Sequence, residues 1–121
     1  MKIELFGKVI SKKNSKQVGR NRYTNKIYVT ASDAWKTFEK DALYQLKRYR
    51  AKEHFEGPIK IYYSLFYKDK GWLDIDNAVT SINDLLQKAT IIRDDRDIKE
   101  AHIYIIEGHK EWKSEIIIAY V

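Results

Sequence analysis

Two periodicities alternate along the chain, and their succession predicts the order of elements. Ile3 and Leu5, then Val9 and Ile10, alternate loosely and predict a strand over 2–10. The pattern then lapses. Ser, Asn and Gly between Ser11 and Arg20 predict a loop, and Arg22-Tyr23-Thr24-Asn25-Lys26-Ile27-Tyr28-Val29 reads as a short hairpin turning near Thr24-Asn25. Trp35, Phe38, Ala42, Leu46 and Tyr49 recur at steps of three or four, predicting an amphipathic helix over 32–51 with Ser32 as N-cap and Asp33 in its first turn. Gly57-Pro58 breaks the chain before Ile59, Ile61, Tyr63, Leu65 and Tyr67, which line one face of a strand. After the polar loop Lys68-Asp69-Lys70-Gly71, a second helix starts at Asp76-Asn77 and sets Val79, Ile82, Leu86 and Ala89 on one face. A connector at Arg93–Asp97, a strand over Ile98–Ile106, a turn at Gly108-His109-Lys110 and a last strand over Ile116–Val121 complete the order.

That order (strand, hairpin, helix, strand, helix, strand, strand) predicts an α+β fold, a mixed β-sheet with two helices packed on one face. A length of 121 residues supports one domain over 1–121. The chain has no cysteine, which removes disulfides, thiolate metal sites and a Cys nucleophile, and makes a cytoplasmic location the expectation. His54, His102 and His109 share no metal-ligand spacing, and no apolar run is long enough for a membrane helix, so no membrane partner is expected.

Charge changes the picture more. The formal net charge of +6 divides unevenly: residues 1–60 hold 15 basic and 6 acidic residues, and residues 61–121 hold 8 and 11. Lys8, Lys12, Lys13, Lys16, Arg20, Arg22 and Lys26 fall in one stretch without a single acid. Such a segment suits a polyanion, because cations that neutralise phosphates release counterions. The helix face with Lys36, Lys40, Lys47 and Arg48 extends the same chemistry, although a charged outer face also arises as plain solvation.

Seven of the 17 acids lie between Asp69 and Asp97. Asp74 and Asp76 are two apart at the mouth of the second helix, and i and i+2 side chains of an extended segment point the same way. Asp94-Asp95 follows that helix, and the return connector is expected to bring it beside the first pair at one edge of the sheet. Carboxylates gathered in this way repel one another, and a hard divalent cation relieves the repulsion; an all-oxygen set favours Mg²⁺, with Mn²⁺ as a substitute. Helix capping by Asp76-Asn77 and a polar turn at Asp94-Asp95 explain each motif separately. Together, and beside a basic half, the motifs favour a metal site facing phosphate, the arrangement nucleases use to activate water and stabilise the leaving oxygen. An EF-hand loop is excluded by Ala78 and Val79, and no histidine stands near Thr80, Ser81 or Asn83 to serve a hydrolase triad.

Leu73-Asp74-Ile75-Asp76-Asn77, Asn83-Asp84-Leu85-Leu86 and Ile91-Ile92-Arg93-Asp94-Asp95-Arg96-Asp97-Ile98 resemble the RusA family of Holliday junction resolvases, and Ser11-Lys12-Lys13-Asn14-Ser15-Lys16 is similar to that family's basic N-terminal loop. The resemblance implies a RusA-like fold and a homodimeric, Mg²⁺-dependent endonuclease that nicks four-way DNA junctions symmetrically in recombination and repair. It assigns metal binding and catalysis to Asp74, Asp76 and Asp95, with Asn77 and Asp94 in support. Lys12, Lys13, Asn14, Lys16, Arg20, Arg22 and Lys26 are the expected DNA contacts. The chain departs from the family at Thr80, where a functional lysine is usual, and it lacks the usual loop proline. Lys12, Lys13 or Lys16 is then expected to supply the missing charge; the alternative is a module that binds junctions without cutting.

Overall fold

The computed structural model describes residues 1–11, 16–68 and 74–121. Six strands and two helices follow in the order β1 (Lys2–Phe6), β2 (Lys16–Arg20), β3 (Ile27–Ala31), α1 (Asp33–Arg50), β4 (Ile59–Phe66), α2 (Ile75–Lys88), β5 (Ile98–Ile106) and β6 (Lys113–Tyr120), with a short 3₁₀ turn at Asp95–Asp97. Four strands form one mixed sheet in the order β1-β6-β4-β5, and β2 and β3 form a separate antiparallel ribbon. β4 pairs antiparallel with β6 but parallel with β5, so β4, α2 and β5 make one crossover unit. Among the described residues no helix is long and apolar enough to cross a membrane.

α1 starts where expected. The Ser32 hydroxyl accepts the Trp35 N–H at 3.1 Å, and Asp33 in the first turn with Lys47, Arg48 and Arg50 in the last complements the helix dipole. Its stripe of Ala42, Leu46 and Tyr49 is buried against the sheet. The alternation of β4 is complete: Ile59, Ile61, Tyr63 and Leu65 point into the core, where they meet Ile3 and Leu5 of β1, Ile116 and Ile118 of β6, and Ile82, Leu85 and Leu86 of α2. Burying an Ile or Leu in this way contributes about 1.5–3 kcal/mol. Both helices cover this one face, as the periodicity predicts.

Several boundaries differ from the sequence reading: β6, expected over Ile116–Val121, runs from Lys113 to Tyr120. β1 ends at Phe6 rather than running to residue 10, because Gly7 turns the chain at φ +112. Lys16–Arg20, read as loop, is a strand whose register pairs Arg20 with Ile27 and Gly19 with Tyr28. α2 begins at Ile75, and its N-cap is Asp74 rather than Asp76.

α2 ends on Thr90, which takes the left-handed conformation at φ +57 while the Ile91 N–H returns to the Leu86 carbonyl at 2.9 Å. Tyr63, fully buried at the centre of β4, donates its hydroxyl to Asn83 Oδ1 on α2 at 2.5 Å. That bond fixes the helix along the strand, and burial drives the phenol's pKa well above its usual value despite the Asn83 contact. On the far side, β5 is an edge strand of nine residues with Tyr104, Ile105 and Ile106 exposed.

Candidate active site and nucleic-acid interface

Asp74 and Asp76 stand at the head of α2, close to where β4 ends. Asp74 makes no side-chain capping bond, so helix capping does not account for its carboxylate. Asp76 lies within the first helical turn, and the extended i, i+2 geometry expected for the pair is replaced by a helix start between them. Both are exposed, with Asn77 half-buried beside them. Acids in this position are favoured by the helix dipole, which also attracts any phosphate brought there.

Asp94 and Asp95 sit at the other end of α2. Asp94 caps the 3₁₀ turn: its Oδ1 accepts the Arg96 N–H at 2.8 Å, and its Oδ2 pairs with Arg96 Nη2 at 3.0 Å. These bonds hold the Asp94 carboxyl down at a pKa of about 2. Asp95 goes the opposite way. The hydrogen bond it shares with Asp94, a modest desolvation, and the charges of Asp94 and Asp84 raise its pKa. The Asp95 N–H donates to Gln87 Oε1 at 3.1 Å, which ties this acid to the last turn of α2. Below it, the Asp97 carboxylate is gripped by Arg93 through Nε at 3.0 Å and Nη2 at 2.7 Å, and it accepts the Gly57 N–H at 3.3 Å. The Arg93 grip depresses the Asp97 pKa and anchors the turn to the start of β4.

A single chain therefore does not bring the two acidic pairs together, contrary to the expectation of adjacent loops at one sheet edge. The reason is the crossover. A strand, a helix and a parallel strand put the two connecting loops at opposite ends of the sheet. Asp76 and Gln87 are separated by about 16 Å of helical rise. Accordingly, no three His, Asp or Glu side chains among the described residues converge to hold a metal. The donor chemistry still fits a hard cation: exposed all-oxygen carboxylates, with the Asp95 pKa raised by its hydrogen bond to Asp94 and by neighbouring acids, a repulsion that a bound cation would relieve. Gln87, which positions Asp95, was not among the expected site residues; a lone glutamine near a helix end carries no distinctive sequence pattern.

Of the expected DNA contacts, Lys12, Lys13 and Asn14 lie outside the described residues, and Lys16 opens β2. Arg20, Arg22 and Lys26 are all exposed around the turn of the ribbon. Arg20 Nη1 donates to Asn25 Oδ1 at 3.1 Å, a neutral partner, and no ion pair to Arg20, Arg22 or Lys26 forms among the described residues. On α1, Lys36, Lys40, Lys47 and Arg48 are exposed as the pattern predicted, with Lys47 over the ring of Tyr44. Thr80 is exposed one turn beyond Asp76.

The domain thus combines a mixed sheet, a basic ribbon and acids at both ends of its crossover helix. The sequence profile of the RusA endodeoxyribonucleases matches residues 7–119, and the chain belongs to that family, which resolves Holliday junctions. No curated protein matches the chain.

Proposed function

We propose that this chain is a divalent-metal-dependent endodeoxyribonuclease that acts as a two-fold dimer on four-way DNA junctions. The observation that carries the reading is the pairing of a family match over nearly the whole chain with two carboxylate pairs held at opposite ends of α2. In this reading two copies meet along β5. A long edge strand with exposed Tyr104, Ile105 and Ile106 is a surface that proteins ordinarily cover. Antiparallel pairing of β5 with its two-fold mate sets the start of one β5 against the end of the other. Asp95 then approaches Asp74 and Asp76 of the partner subunit, and two equivalent composite sites result.

Asp74, Asp76 and Asp95 are the residues that would hold Mg²⁺, with Mn²⁺ as a substitute; when bound, the cation supplies an activated water and offsets charge on the leaving oxygen. The chain's own groups do the rest. Asp94, locked to Arg96, keeps the 3₁₀ turn in shape so that Asp95 is presented outward. Asn77 supports the head of α2, and the basic ribbon and loop hold phosphates without reading bases. Charge at the scissile phosphate comes from the ribbon and loop rather than from position 80, where Thr80 offers none.

Cleavage of a synthetic four-way junction in Mg²⁺, compared for wild type and Asp76→Asn, tests the assignment. Paired nicks by wild type that Asp76→Asn abolishes support it. Equal cutting by both proteins overturns the site, and tight binding by both without cutting leaves a binding module instead of a nuclease.

A further inference from the structure

The ribbon tip is built more precisely than phosphate attraction alone requires. The Asn21 side chain accepts the N–H groups of Tyr23 at 2.9 Å and Thr24 at 3.1 Å, and the Asn25 N–H returns to the Asn21 carbonyl at 2.8 Å. Asn25 turns the chain at φ +59, a conformation asparagine tolerates better than most residues. This ordered turn holds Tyr23 out into solvent at 91% exposure.

Across the ribbon, Gly19 faces Tyr28, and a Cβ on Gly19 would stand 2.4 Å from Tyr28 Cζ. The outer end of the Tyr28 ring thus reaches over Gly19, where only a glycine leaves room for it, and the side chain stays half-exposed. Arg20, Asn21, Arg22, Tyr23 and Tyr28 line one open cleft of about 610 Å³, with no carboxylate among the described residues of its wall. Two presented aromatic rings flanked by two guanidiniums match the chemistry of a nucleotide: a π-face for the base and fixed cations for the phosphates on either side. A hydrophobic protein partner suits this cleft less well, because its described wall carries two positive charges and no acid.

We propose that the tip of the β2–β3 ribbon is a nucleotide-stacking site that takes one unpaired base of branched DNA on the rings of Tyr23 and Tyr28, with Arg20 and Arg22 on the flanking phosphates. This deepens the nuclease reading and rests on it. Bases inside a duplex expose no free π-face, whereas those at a branch point or in a single strand do. The site therefore supplies structure selectivity that backbone charge alone does not.

The test uses the full chain in metal-free buffer with EDTA. Three probes are compared: a four-way junction carrying 2-aminopurine at its branch point, a linear duplex of the same arm sequence, and an oligo-dT strand. Wild type, Tyr23→Leu, Tyr28→Leu and Gly19→Ala are measured, with circular dichroism and thermal melts to confirm folding. Gly19→Ala keeps both rings but pushes Tyr28 off the strand. The expected result is about tenfold weaker binding of junction and oligo-dT by each variant, the usual scale of one lost base stack. Duplex affinity stays unchanged, and the 2-aminopurine response is lost. Tyr23, almost fully exposed, keeps the test decisive if a Tyr28 or Gly19 variant melts early. Variants that bind all three DNAs as wild type does, with the same fluorescence change, overturn the stacking site while leaving a junction-cutting wild type intact. Equal weakening on duplex also overturns it. A wild type that binds neither branched nor single-stranded DNA overturns the nuclease reading as well.

Discussion

Replacing Arg20, Arg22 and Lys26 together by glutamine removes three exposed cations from the ribbon turn while leaving uncharged polar side chains in their place. None of the three is engaged with a carboxylate among the described residues, and Arg20 donates to the neutral Asn25 amide. Their charge is therefore available to phosphate. Each phosphate neutralised on duplex DNA contributes about 0.9 to the slope of log affinity against log salt, so the triple variant loses about 2.7 from that slope. Between roughly 50 and 200 mM salt, the advantage of wild type over the variant then shrinks about 40-fold. Fluorescence anisotropy on a labelled junction across that range measures both slopes, with thermal melts to show that the ribbon change leaves the core intact. A variant that binds more weakly by a constant factor at every salt concentration refutes the phosphate role, because lost counterion release must appear in the slope. An unchanged affinity and slope refute any contact by the ribbon.

Two further outcomes concern the scaffold of the site. Tyr63→Phe strips Asn83 of its donor inside the core and is expected to cost about 1–1.5 kcal/mol, or about 4–6 °C in Tm for a chain of this size, read by calorimetry. A Tm within a degree of wild type would show that the bond does not fix α2. Asp95 and Asp97 shift in opposite directions, and their asparagine variants are expected to do the same in EDTA. The raised pKa of Asp95 means that its charge opposes folding above the usual carboxylate range, so Asp95→Asn raises Tm at pH 7 and the gain fades as pH falls and wild type takes up the proton. The depressed pKa of Asp97 stabilises the fold at neutral pH, so Asp97→Asn lowers Tm there, and the deficit closes as acid titrates wild-type Asp97 through its lowered range. Melting curves from pH 7 to pH 2 that move both variants the same way contradict these assignments.

The elements most legible in the sequence were those with a local cause. α1 has a full apolar stripe and a serine cap, and β4 alternates without a fault; the structure places both within two residues of the reading. β2 was hidden because Lys16-Gln17-Val18-Gly19-Arg20 has one large apolar side chain and a glycine that normally weakens strands. Its Gly19 stands opposite Tyr28, whose ring tip occupies the space a side chain there would need, a cross-strand contact that no single-segment pattern reveals. The acids were found by type and spacing, but their meeting within one chain was misjudged. The direction of β5 decides that point: an antiparallel β5 would have returned Asp95 toward Asp74, whereas the observed parallel pairing with β4 sends it to the far end of α2. Strand direction is a tertiary property, set here by β6 inserting between β1 and β4 and leaving β5 at the edge.

Complementation between inactive variants tests the composite site most directly. Asp76→Asn and Asp95→Asn are purified separately, shown to bind but not nick a four-way junction in Mg²⁺, and then mixed under conditions that let subunits exchange. In a mixed dimer, the Asp95→Asn subunit contributes intact Asp74 and Asp76, and the other subunit contributes an intact Asp95. If the site spans two copies, one of the two sites is whole again. Half the dimers are mixed at equal input, so about a quarter of wild-type nicking returns, as single nicks rather than paired ones. A mixture as inactive as its components contradicts a site shared between subunits, and nicking by either variant alone at the wild-type rate removes that residue from the site.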